Sequence, residues 1–110
     1  YSRVKADLAK MISVKDCIEE TLKDIEIPEG INLELEILDA DLLYVFMDFH
    51  QLYSVFRNLV LNSIQAMPYS GTIKIKVSAS EDKKTIITKI CDTGMGISES
   101  TRQKIFNLFY

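Results

Sequence analysis

The sequence predicts a two-layer α/β sandwich, with helices packed on one face of a mixed, largely antiparallel sheet. Three observations lead to it. Residues 32–37 and 72–80 alternate apolar and polar side chains with the period of half-buried strands. Residues 49–67 repeat their apolar side chains with the period of a helix. The turn formers Pro28-Glu29-Gly30 and Pro68 to Gly71 divide these segments.

Taken in order, residues 4–25 carry Val4, Leu8, Met11, Ile12, Cys17, Ile18, Leu22 and Ile25 at nearly helical spacing. Ser13 followed by Asp16 marks a helix start within that stretch. Residues 1–10 therefore read as the end of one helix or a linker, and residues 14–25 as a second helix. A strand over 32–37 follows, then a turn at Asp39 and Asp41. Leu42 to Met47 is an unbroken apolar run, the pattern of a strand buried on both faces. Asp48 is a suitable helix N-cap, with Gln51 three residues later at capping-box spacing. The helix from 49 to 67 has one stripe of Leu52, Phe56, Leu59, Ser63 and Met67, beside Val60 and Ile64. Its polar stripe is Gln51, Ser54, Asn58, Asn62 and Gln65. After the strand at 72–80, residues 85–91 form another that ends at Asp92. A short helix is expected from Ser98 to Leu108.

The 110 residues suit one domain, and 47% hydrophobic with 26% charged residues fits a globular protein. A net charge of −3 with scattered lysines argues against nucleic acid as a partner. No apolar run reaches the roughly 18 residues of a membrane span, and Tyr1-Ser2-Arg3 opens no signal peptide. The chain itself is expected in the cytoplasm, with any membrane anchor in other parts of a parent protein. Cys17 and Cys91 form no paired motif, and Cys91 reads as a small buried hydrophobe. One histidine, His50, and two distant cysteines make no zinc site.

Two features carry chemistry. Asp92-Thr93-Gly94-Met95-Gly96 follows a strand. Glycines there admit a flat ligand close to the main chain, and an ionised Asp accepts hydrogen bonds from an amine such as that of adenine. Ile90, Met95 and Ile97 would supply apolar walls. By itself the pattern reads equally as a tight turn. It is neither a P-loop nor a Rossmann fingerprint. The second feature is Asn58 and Asn62, one turn apart on a single helix face. An amide oxygen suits magnesium, and a solvated polar face is the alternative.

Together these residues resemble the ATPase/kinase superfamily of gyrase B, the heat-shock chaperones of the ninety-kilodalton class, MutL and histidine kinases. The histidine-kinase branch is the most similar, and within it the nitrogen-regulation type of sensor kinase. Asn58-Leu59-Val60-Leu61-Asn62-Ser63-Ile64-Gln65-Ala66-Met67 looks like the N box, Asp92-Thr93-Gly94-Met95-Gly96-Ile97 the G1 box, and Ile105-Phe106-Asn107-Leu108-Phe109-Tyr110 the F box. The resemblance implies a Bergerat-type fold that binds ATP with Mg2+. Asn62 would be the metal ligand, Asn58 a catalytic residue on the phosphate side, and Asp92 the adenine-amine acceptor. Gly94, Gly96, Ile97, Gln65 and Phe109 would complete the nucleotide site, with Phe106 and Phe109 at the base of a lid.

Hydrolases of the superfamily place a glutamate where Asn58 stands. An amide takes no proton at neutral pH, so phosphoryl transfer to a protein side chain is favoured over hydrolysis, and the resemblance implies a histidine as that side chain. His50, on the N-box helix, reads as a surface residue and not as that acceptor. Gln65-Ala66 replaces the frequent Lys-Tyr, and Asn107-Leu108 the frequent Glu-Pro. The resemblance further implies residues 1–13 as the end of a dimerisation helix or linker, and 14–110 as a catalytic domain truncated before its lid and G2 box. The implied partners are the protein's own dimerisation and phosphoacceptor domain, in a homodimeric parent, and a response regulator. An ATPase that uses ATP as a conformational clamp and a non-catalytic interaction module remain the alternatives.

Overall fold

A computed structural model describes residues 9–67, 70–94 and 100–107, with side chains as far as Thr93. Strand β1 (Ala9–Ser13), helix α1 (Val14–Asp24), strand β2 (Ile31–Ile37), a 3-10 turn (Ala40–Leu42) and strand β3 (Tyr44–Asp48) come first. Helix α2 (Phe49–Gln65) and strands β4 (Gly71–Ala79), β5 (Thr85–Gly94) and β6 (Ser100–Asn107) follow. Strands β2-β4-β5-β6 form one sheet in that order, while β1 and β3 pair separately. The β2–β4 pair is parallel and the other pairs are antiparallel, which gives the mixed, largely antiparallel sheet expected.

Both helices start at the expected caps. Ser13 Oγ accepts from the Asp16 N–H at 3.3 Å, and Asp48 Oδ1 accepts from the His50 N–H at 2.9 Å. Each oxygen satisfies a donor that the first helical turn leaves without a carbonyl. The helices pack against one another, and α2 also lies on β4 and β5. The Tyr53 hydroxyl ties α2 to α1 by donating to Asp24 Oδ2 at 2.7 Å. The apolar stripe of α2 is buried as its spacing requires: Leu52, Phe56, Leu59, Val60 and Met67 all join the core. They meet Ile73, Ile75 and Val77 of β4 and Ile86 and Ile90 of β5, also buried. Each such side chain contributes about 1.5–3 kcal/mol by leaving water.

Four expectations are corrected. Ala9–Ser13, expected as the end of a helix or a linker, is a strand: Met11 and Ile12 pair with Phe46 and Val45 of β3. β3 is not buried on both faces. Among the described residues it pairs with β1 alone, and its side chains alternate between faces: Val45 is 3% exposed while Tyr44 and Phe46 are 39% and 57% exposed. The helix expected from Ser98 to Leu108 is replaced over its described part by β6, antiparallel to β5. Pairing there satisfies the edge of β5, which outweighs a short helical signal. Lastly, β5 continues through Asp92 to Gly94, and Cys91 is half-buried instead of a core residue. It alternates with Ile90 and Asp92 and so points to the outer face.

Candidate nucleotide-binding site

The site is built on the inner face of β5. Ile86, Thr88 and Ile90 have no exposure and Asp92 is 4% exposed, at alternate positions along the strand. Asp92 pairs with Ile73, itself fully buried. Its carboxylate therefore faces the helix layer, away from the exposed lysines Lys74, Lys76 and Lys89 of the outer face. An ionised carboxylate offers acceptors and no donors.

Helix α2 ends at the same end of the sandwich. The Ala66 N–H reaches the Asn62 carbonyl at 3.1 Å, and the Met67 N–H reaches the Ile64 carbonyl at 3.0 Å. Met67 is 2% exposed and lies against Gly71, the first residue of β4. Gly71 pairs with Gly94, two residues beyond Asp92. The end of α2 at Met67 thus lies against Gly71, whose partner on β5 is two residues from Asp92; Asn62 and Gln65 precede Met67 in the last turns of the helix. Asn58, Asn62 and Gln65 are all exposed on α2, while Leu59 and Ser63 are buried. The polar stripe is exposed, as the helix spacing predicts.

Gly94 closes β5. Met95, Gly96, Ile97 and Phe109 lie outside the described residues, and Phe106 stands in β6 opposite Ile86. His50 is exposed at the start of α2, twelve residues and roughly 18 Å of helix from Asn62. Cys17 is fully buried in α1. Burial pushes its thiol up to about 11 despite a hydrogen bond with Thr21, which makes it an inert core residue.

Among the described residues, no three His, Cys, Asp or Glu side chains are grouped to hold a metal ion. A cation at this end of α2 would take most of its ligands from phosphate oxygens and water. A lone amide oxygen such as that of Asn62 suits magnesium bound in that manner. Sequence reasoning treated Gly71 only as a helix stop. Its place at the first residue of an alternating run was the available signal that it belongs to the strand.

Residues 47–110 match the family described as Histidine kinase-, DNA gyrase B-, and HSP90-like ATPase. The chain belongs to that family. It is 38% identical over 72 residues to Histidine kinase P4 of Formosa agariphila, covering 66% of this chain and 5% of that protein. It is 29% identical over 113 residues to the Signal transduction histidine-protein kinase AtoS of Escherichia coli, covering 100% of this chain and 18% of that one. The chain thus spans a small part of the curated relatives it matches. The catalytic domain of histidine kinase ThkA superimposes with a TM-score of 0.68 at 25% identity, over 82% of this chain and 61% of that one. ThkA has also been solved in complex with the response regulator protein TrrA. Within the family, the Asp92 strand and the Asn62 helix both fall inside the matched residues.

Proposed function

We propose that the chain is the ATP-binding catalytic domain of a sensor histidine kinase. The observation that supports this reading is the buried, inward-facing Asp92, on the stretch of β5 against which the end of α2 packs through Met67 and Gly71. Asp92 accepts the hydrogen bond of the adenine amine. Gly94 and Gly96 leave room for the ring beside the main chain, and Ile97 and Phe109 supply apolar cover. The Asn62 amide oxygen serves as a magnesium ligand, and Gln65 lies on the nucleotide side of the same helix. ATP bound with magnesium supplies the phosphoryl group and neutralises part of its charge.

What the chain's own residues contribute is positioning, which is most of what phosphoryl transfer asks of a protein. Asn58 lines the phosphate side without acting as a base, so water is not activated there. The acceptor is a histidine on a preceding domain of a homodimeric parent. A response regulator then takes the phosphoryl group, as the ThkA complex supports. Among the described residues no helix is long and apolar enough to cross a membrane. The cytoplasmic side is proposed from the kinase reading, since ATP and the response regulator are there.

The test is self-labelling of the full-length protein with γ-labelled ATP. Acid-labile label on the protein is expected, and phosphate release without labelled protein would overturn the kinase reading. Asp92→Asn removes a hydrogen bond to a charged group, so ATP affinity should fall about 10- to 100-fold by calorimetry. Unchanged affinity would remove Asp92 from the site.

A further inference from the structure

Gly71 does more than end a turn. Its φ is +156°, in backbone space that side-chain-bearing residues rarely adopt. A Cβ added there would collide with the Thr93 carbonyl oxygen and would stand 2.5 Å from Met67 Sδ. Neither neighbour has an easy retreat. The carbonyl is main chain of β5, and Met67 is 2% exposed, packed at the end of α2. From the other side, the Gly71 N–H donates to the Gly30 carbonyl at 3.2 Å. The glycine is thus held between the β2 entry, the α2 end and β5.

The register makes this contact matter for the ligand. Gly71 pairs with Gly94, Thr72 with Thr93 and Ile73 with Asp92. The main chain that a side chain at 71 would displace is the Thr93–Gly94 peptide, one residue beyond Asp92. A methyl group there pushes β5 away from β4 next to the residue that carries the carboxylate. We propose that Gly71 is a positioning residue for purine recognition: its missing side chain sets the Asp92 carboxylate so that it selects a 6-amino over a 6-oxo purine. This rests on the reading of Asp92 as the adenine acceptor. A 6-amino group donates to the carboxylate, whereas a 6-oxo group turns an acceptor towards an acceptor.

The experiment compares ATP with inosine triphosphate in the full-length protein, by calorimetry, for wild type, Gly71→Ala and Met67→Ala. Wild type should prefer ATP by about tenfold or more. Gly71→Ala should lose ATP affinity while keeping that for inosine triphosphate, so that the preference collapses. Met67→Ala, which loosens the core without displacing the Thr93 peptide, should keep the preference. Absence of a preference in wild type would sink the adenine reading itself. A wild-type preference that survives Gly71→Ala, including equal weakening of both nucleotides, would overturn the positioning role while leaving that reading intact. If Gly71→Ala does not fold by circular dichroism, the Met67→Ala/Gly71→Ala pair carries the comparison. Failure of both to fold would make the glycine a folding requirement and overturn the proposal.

Discussion

Thr88 buries its whole side chain on the inner face of β5. Among the described residues its Oγ1 has no hydrogen-bond partner. A hydroxyl taken from water without replacement costs about 1–3 kcal/mol. Valine has nearly the same shape without that cost. Thr88→Val is therefore expected to stabilise the protein by about 1 kcal/mol, read as a higher urea midpoint at unchanged slope. A lower midpoint would mean that the hydroxyl is satisfied in solution. Four residues further along, at Asp92, burial has a different meaning. The motif singled out Asp92, and its inward aim follows from the alternation once the inner face of β5 is known. Gly71 was not legible, because a glycine after a helix looks the same whether it ends a turn or lets two strands approach.

The helices were the most legible elements and β3 the least. Helix α2 has a cap, a stop and an apolar stripe, three local signals that agree. Its cap makes a defined prediction. Asp48→Ala removes the acceptor that holds the His50 N–H at 2.9 Å, and should cost about 0.5–2 kcal/mol. Asp48→Asn should recover most of that loss in the same denaturation experiment. For β3, the run from Leu42 to Met47 carried no information about how many neighbours would cover it. Only the pairing with β1 shows that Tyr44 and Phe46 stay exposed. The stretch from 100 to 107 had helical signals that conflicted with an open strand edge next to it. The edge prevailed because ladder hydrogen bonds satisfy two segments at once.

For the molecule as a whole, one buried acid couples stability to pH. The folded Cys17 thiol ionises near 11 instead of its ordinary 9.0, chiefly because burial disfavours the thiolate. As pH rises past 9.0 the unfolded chain loses this proton and the folded one keeps it. The associated stability is fully present below that pH and is lost as pH approaches 11. Melting temperature should therefore fall across this window. In Cys17→Ala the fall should be shallower, from a lower starting value set by lost packing. An identical slope in the variant would assign the fall to other groups.

By itself the sequence determined the period of each helix and of β2, β4 and β5, both helix caps, the sandwich class and the motif order that marks the family. Those properties are local, since side-chain spacing and capping chemistry act within a few residues. Only the tertiary structure decided which strands pair, where β3 stays exposed, why 100–107 extend along β5, and that Gly71 sits against the Thr93–Gly94 peptide, one residue beyond Asp92. These depend on contacts between segments far apart in the chain, and no local pattern encodes which open edge or which main-chain carbonyl a residue will meet.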